Sequence, residues 1–239
     1  MKKRIEKIKE WLSVSAPVPA DLFEKVSSEP VPNHLKRWWF ALGGTPAYLF
    51  TIQLVTGILL TFYYVPDPAH AYESVQRITY EIQFGWIIRS LHKWSSYLMI
   101  IAVIFHVFRV FFTGAYRKPR ELNWMVGCGI LGTVLFFGFT GYSLVFEQLS
   151  YWGATVAANI TQNVPLLGDF LARFLRGGES VADNTLTRFF VFHTMLLPIT
   201  LIGLLVVHIT LIRLLGVTEL KFKEDEGQPV KHFPFFPNH

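Results

Sequence analysis

Four histidines stand in this chain as two matched pairs. His92 and His106 lie in the apolar run SLHKWSSYLMIIAVIFHVFRV (residues 90–110), and His193 and His208 lie in FHTMLLPITLIGLLVVHITLIR (residues 192–213). The intervals are 14 and 15 residues. A helix rises about 1.5 Å and turns about 100° per residue, so each pair spans roughly 21–22 Å, with its two side chains about 40° or 60° apart in direction. Each helix therefore points both imidazoles to one broad side. Two such helices, parallel and adjacent, would clamp two stacked objects, one near each end. An iron with two axial imidazoles fits that arrangement. Zinc fits poorly, because neither run brings the three or four close ligands that a zinc site needs. A lone histidine in a membrane helix is as readily a packing or hydrogen-bonding residue. Four in two matched pairs point to ligation of two haems.

The elements that must hold these residues are membrane helices. Of 239 residues, 51% are hydrophobic and only 16% charged, against about 25% charged in a soluble domain. The charge of +5 is set beside apolar runs rather than in an aromatic-interleaved patch, so it reads as membrane topology and not as a nucleic-acid surface. The one cysteine, Cys128, excludes an internal disulfide and a CxxCH site for covalent haem; in its apolar run it reads as a small buried side chain.

Residues 1–12, MKKRIEKIKEWL, form a basic amphipathic stretch suited to the membrane surface. With no apolar core behind it, the membrane segments themselves are expected to direct export. Pro17, Pro19, Pro30 and Pro32 predict an irregular tether up to residue 33. Crossings are expected at 38–66, 90–112, 122–146 and 189–212, each long enough for about 30 Å of hydrocarbon. Residues 67–89 read as a mixed polar and aromatic connection. Residues 147–188 are too long for an ordinary loop and carry amphipathic material, YWGATVAANI and LLGDFLARFLRGG. Short surface helices are expected there, forming one wall of a substrate pocket. The tail beyond 216 is charged and ends in HFPFFPNH, with no helix of its own.

Gly43 and Gly57 in the first crossing repeat the 14-residue interval, as do Gly127 and Gly141 in the third. These crossings are expected to present gaps where the second and fourth present ligands. Lysine and arginine cluster in the amino-terminal segment, at 109–120 and in the tail, which places both termini on the cytoplasmic or equivalent side. The second and fourth crossings then run parallel, so His92 pairs with His193 near the outer face and His106 with His208 near the inner face. Haem propionates need cationic partners at an interface. Arg89 and Arg109, three residues from a histidine, and Arg120 and Arg213, at inner helix ends, are the candidates.

At these residues the chain resembles the amino-terminal, four-helix half of cytochrome b from quinol-oxidising cytochrome bc complexes. It is closest to the short split form of chloroplast and cyanobacterial type. The strings FGWIIRSLHKWSS, HVFRVFFTGAYRKPREL, TGYSLVFEQLSYWGATV and ADNTLTRFFVFH carry the resemblance, and the 15-residue His193–His208 interval resembles the split form. The resemblance implies an all-α integral membrane fold, a four-transmembrane-helix di-haem bundle with surface helices. It divides the chain into a surface helix and tether (1–33), the di-haem core (34–216) and a tail like the opening of the family's carboxyl-terminal half (217–239). His92 and His193 would be axial ligands of a low-potential haem b, His106 and His208 those of a high-potential haem b, both non-covalent. Gly43, Gly57, Gly127 and Gly141 match haem-facing glycines, and Arg89, Arg109, Arg120 and Arg213 match basic residues near the propionates. Chloroplast-type proteins anchor an extra covalent haem at a cysteine where this chain has Ala41, so no covalent link is expected there. The family's Gly-Tyr-x-Leu-Pro has Val145 in place of proline.

The implied function is an electron-transfer subunit of a quinol:electron-acceptor oxidoreductase, in a bacterial or organellar energy-transducing membrane. Quinol would be oxidised near the outer face and quinone reduced near the inner face. Implied partners are a carboxyl-terminal cytochrome b half or subunit IV-like chain, a Rieske-type iron–sulfur protein and a c-type cytochrome, in a dimeric complex with lipid and quinone. Two other readings are a haem b membrane anchor of a dehydrogenase or hydrogenase, and a haem-free transporter or structural membrane subunit.

Overall fold

The computed structural model describes residues 30–32, 37–218 and 232–234. They fall into two compact units, one spanning Leu42–Gly216 and the other built from residues up to Ala41 and from Val217 onward. The larger unit is helical. After a 3-10 turn at Trp38–Gly43, its helices are α1 (Gly44–Thr61), α2 (Ala71–Tyr80), α3 (Gly85–Phe112), α4 (Glu121–Ser143), α5 (Gln148–Gln162), α6 (Gly168–Arg176), α7 (Asp183–Val191) and α8 (Leu197–Leu215). A π turn, Phe192–Leu196, joins α7 to α8. Four stretches are long and apolar enough to cross a membrane: Trp39–Thr61, Gly85–Phe112, Glu121–Ser143 and Asn184–Leu215.

These crossings meet in one cluster of Leu49, Phe50, Met99, Val103, Ile130, Val134 and Leu201, to which all four contribute. Their outward surfaces stay apolar and exposed, with Phe112, Met125 and Ile199 more than half uncovered, as suits helices whose solvent is hydrocarbon or a partner.

Two crossings begin well before the sequence expectation. The fourth crossing begins at Asn184, not at 189, because α7 runs through the π turn into α8 without a break. The second begins at Gly85, set by a close approach: a Cβ there would stand 1.9 Å from the Ile78 carbonyl oxygen. The preceding Phe84 turns the chain with φ 63°. The connection before it contains α2, whose buried Ala71, Ser74, Val75 and Ile78 follow the i, i+3, i+4, i+7 rule. The expected surface segments are α5 and α6. Asp169 begins α6, and Arg173 and Arg176 end it, matching the helix dipole.

In the smaller unit, Pro30–Pro32 and His232–Pro234 form an antiparallel two-stranded ladder with Val31 opposite Phe233. Val31, Phe40 and Phe233 are buried together, with Trp39 and Val217 packed on them. Pro30 and Pro32, two of the prolines that predict an irregular tether, are tolerated here because a two-stranded ladder consists of edges, where a missing N–H need not break a bond. The amphipathic segment expected at 1–12 lies outside the described residues.

Candidate functional site: two imidazole pairs between four helices

The structure brings the four histidines together two by two. The ring centres of His92 and His193 stand 6.2 Å apart with planes at 70°. Those of His106 and His208 stand 6.5 Å apart at 76°. Two imidazoles bound end-on to one metal ion, with bonds of about 2 Å and roughly 1.1 Å from nitrogen to ring centre, stand about 6.2 Å apart. Both pairs have that opening. Among the described residues no three His, Cys, Asp or Glu side chains gather into a metal site, so the donor set at each level is two neutral imidazoles. That set suits a metal bringing its own four equatorial ligands, as haem iron does.

Each of the four glycines faces one imidazole. A Cβ on Gly57 would lie 3.2 Å from His92 Cε1, on Gly43 3.3 Å from His106 Cε1, on Gly127 3.6 Å from His208 Cε1, and on Gly141 2.6 Å from His193 Cε1. The missing side chains of α4, and of α1 with the turn before it, thus make room for the histidine edges carried by α3 and by the fourth crossing. Recurrence of the 14-residue interval in both partners has this steric meaning: each glycine stands level with its own histidine.

The unequal histidine intervals are reconciled by the π turn. In an unbroken α-helix, fourteen residues leave a direction about 40° short of full turns and fifteen about 60° beyond, a disagreement of roughly 100°. The π turn Phe192–Leu196, closed by Leu197 N–H donating to the Phe192 carbonyl, accommodates one extra residue. His193 lies within it, so fifteen residues deliver the path of fourteen. Pro198 supplies a local reason. It has no N–H for the Thr194 carbonyl four residues back and its ring would crowd that oxygen, which a widened turn relieves.

Sequence reasoning missed the residues behind the rings. Thr56 Oγ1 lies 2.9 Å from His92 Nδ1 and donates to the Ile52 carbonyl at 2.6 Å. Thr140 Oγ1 lies 3.1 Å from His193 Nδ1 and donates to the Phe136 carbonyl at 2.9 Å. A hydroxyl has one proton. With that proton committed to the backbone, the oxygen accepts from Nδ1–H and leaves Nε2 as the free lone pair. Both threonines are buried, Thr140 completely. Gln53 adds a brace, donating to the His92 carbonyl at 2.6 Å and to Ser95 Oγ at 2.5 Å. A signal was present: Thr56 directly precedes Gly57 and Thr140 directly precedes Gly141, whereas Leu42 and Val126 precede the other two glycines.

At the second level the surroundings differ. Arg109 Nη2 lies 3.3 Å from His106 Nδ1, and His208 Nδ1 is buried with no side-chain partner among the described residues, the Asn123 backbone carbonyl being the group beside the ring. Arg120 donates from Nε and Nη2 to the Gly216 and Leu215 carbonyls at 3.1 and 3.2 Å, closing the end of α8. Arg89 is half-buried one turn before His92, and Arg213 is exposed at the end of α8. At the same end as Arg89, Tyr64 Oη donates to the Leu144 carbonyl at 2.6 Å, linking the segment after α1 to the end of α4. Val145 sits in the turn that follows, donating to the Tyr142 carbonyl, before Phe146 at φ 52° leads into α5.

The family model for cytochrome b/b6/petB matches residues 26–216. Cytochrome b6 of Heliobacterium modesticaldum is 44% identical over 209 residues, covering 87% of this chain and 98% of the relative. Cytochrome b6 of Synechococcus elongatus is 41% identical over 214 residues, covering 90% and 99%. Among solved structures, a chain of a hyperthermophilic respiratory Complex III superposes with a TM-score of 0.83 at 29% identity, covering 96% of this chain and 61% of that one. This chain therefore spans about three-fifths of the solved chain's length.

Proposed function

The chain belongs to the cytochrome b/b6 family and is an electron-transfer subunit of a quinol oxidoreductase; we propose that it does this work as a di-haem bundle, with one haem b at each histidine level. The observation that carries the reading is the pair of imidazole openings, 6.2 and 6.5 Å between ring centres, each bordered by two glycines. His92 and His193 would hold one haem, His106 and His208 the other, with Arg89, Arg109 and Arg213 as the cationic partners for propionates. Arg120 is a weaker candidate, since two of its guanidinium nitrogens are engaged by carbonyls at the end of α8.

When bound, the two haems supply reversible one-electron carriage at two depths of the membrane. The chain's own groups fix the rings, direct their lone pairs and keep the interior dry. Thr56 and Thr140 hold the Nδ1 protons of His92 and His193. The cluster of Met99, Val103, Val134 and Leu201 fills the bundle centre without polar side chains. The basic ends at 109–120 and beyond Arg213 orient both termini toward the cytoplasmic or equivalent side by the positive-inside rule. Quinol oxidation would then belong to the end near His92 and His193, beneath α5 and α6, and quinone reduction to the end near His106 and His208. A carboxyl-terminal cytochrome b half or subunit IV-like chain, a Rieske-type protein and a c-type cytochrome complete the proposed assembly. No covalent haem attaches at Ala41, which lacks a thiol.

Reduced-minus-oxidised spectra of the purified complex test the reading. Two b-type haems per chain are expected, with His193→Leu removing one and His208→Leu the other. A haem-free complex, or loss of the same haem in both variants, would overturn it.

A further inference from the structure

The two levels share one frame of histidines and glycines but differ in what meets the Nδ1 nitrogens. At His92 and His193 a buried threonine hydroxyl stands within 3.1 Å of each, and each hydroxyl already donates its O–H to a backbone carbonyl. At His106 a guanidinium nitrogen of Arg109 lies 3.3 Å from Nδ1, and at His208 no side-chain hydroxyl among the described residues meets Nδ1, the Asn123 backbone carbonyl being the group beside the ring. The threonines come from two helices, each at the residue before the glycine that faces the same ring. The hydroxyl arrives on the helical position beside the gap, so ring clearance and ring bonding are built by one dipeptide, Thr-Gly, used twice.

Resting on the di-haem reading, we propose that Thr56 and Thr140 are positioning residues that set the redox poise of the His92/His193 level. A hydroxyl oxygen accepting Nδ1–H fixes the tautomer with Nε2 as the metal-facing lone pair, and draws the ring toward imidazolate character, making it a stronger donor. A stronger donor favours the more highly charged, oxidised metal and lowers the midpoint potential of that level. Arg109, 3.3 Å from His106 Nδ1, offers that nitrogen no acceptor, so the His106 ring stays a weaker donor than the rings backed by threonine. The two second-sphere sets together make the descent from the His92/His193 level to the His106/His208 level favourable for an electron.

Redox titration of the intact complex, following each b-type absorbance, tests the proposal in Thr56→Val, Thr140→Val and the two serine variants. The midpoint belonging to His92/His193 is identified as the one absent in His193→Leu. Each valine variant is expected to raise that midpoint alone. A tenfold change in the ratio of oxidised- to reduced-state affinity, at the lower end of second-sphere effects, is a rise of about 59 mV for one electron. Each serine variant, which keeps the hydroxyl, stays at the wild-type value. Loss of that haem in a valine variant, with the serine variant intact, also supports the hydroxyl's role. Unmoved midpoints, equal movement of both, or serine behaving like valine would overturn it. Absence of haem from the wild-type complex would instead remove the di-haem reading itself, so the two failures are distinguishable.

Discussion

The His92/His193 level and the His106/His208 level are alike in ring spacing and in having a glycine at each ring, and unlike in what stands behind the rings. Ring separations differ by only 0.3 Å, from 6.2 to 6.5 Å, and every ring has its glycine. Yet one level is finished with neutral, buried hydroxyls and the other with a guanidinium. A repeated frame can thus hold two copies of one cofactor, while the residues behind the frame make the copies inequivalent. An electron path with a direction needs that inequivalence, since two identical sites would give no preferred way across.

The largest effect should come from disturbing the frame. Inserting one alanine after Ile100 adds a residue between His92 and His106 in a helix that has no π turn to absorb it. His106 is then rotated by about 100° relative to His92, and one b-type absorbance should disappear from the spectrum. Removing Thr194 while replacing Pro198 with alanine does the opposite in the fourth crossing. It takes out the extra residue together with the ring that crowds a straight helix, and both absorbances should survive. Survival of both haems in the insertion variant would refute the argument that the π turn reconciles 14 with 15.

Much of this frame was legible in the sequence. Histidine and glycine intervals are linear features, and a helix converts them into faces by arithmetic; four long apolar runs likewise announce four crossings. The π turn was not legible as such, although its cause, Pro198, stands in plain view. A π turn depends on whether the chain relieves a proline by kinking or by widening, and the 15-residue interval alone does not choose. The threonines escaped for another reason. Hydroxyls in apolar helices bond to their own backbone by default, and Thr133 does so, donating to the Gly129 carbonyl. Only the three-dimensional neighbour separates Thr56 and Thr140 from Thr133. The ladder of Val31 with Phe233 joins residues two hundred apart, and no local pattern marks it.

A smaller effect distinguishes the levels through their glycines. Gly141→Ala places a methyl 2.6 Å from His193 Cε1, inside any tolerable contact, while Gly127→Ala places one 3.6 Å from His208 Cε1, an ordinary one. The first should destabilise by about 1–3 kcal/mol, the usual cost of overpacking, and lower the occupancy of the His92/His193 haem. The second should be close to wild type in haem content and thermal midpoint. Equal behaviour of the two variants would mean that the ring positions are not held as tightly as the glycine contacts require.

The smallest expected effect concerns how the two ends of the bundle are tied. Near the His106/His208 level the tie is charged, with Arg120 donating to the Gly216 and Leu215 carbonyls. Near the His92/His193 level it is neutral: Tyr64 donates to the Leu144 carbonyl and stacks on Phe190 with ring centres 5.8 Å apart. Burial raises the Tyr64 pKa above the ordinary phenol value, because the phenolate would lose water without gaining a partner. Tyr64→Phe keeps the stack and removes one hydrogen bond, so a loss of about 1 kcal/mol is expected near neutral pH. The pH dependence has a definite sign. With its pKa raised in the fold, Tyr64 contributes fully below the unfolded value of about 10 and loses that contribution as pH climbs from there toward the folded value. Thermal unfolding of the two forms in detergent should therefore differ most at neutral pH and converge in alkali. A gap that stays constant through about pH 10 and above would show that Tyr64 is solvated in the fold, and that the end of the bundle near His92 and His193 is not the dry, neutral counterpart of the arginine-tied end.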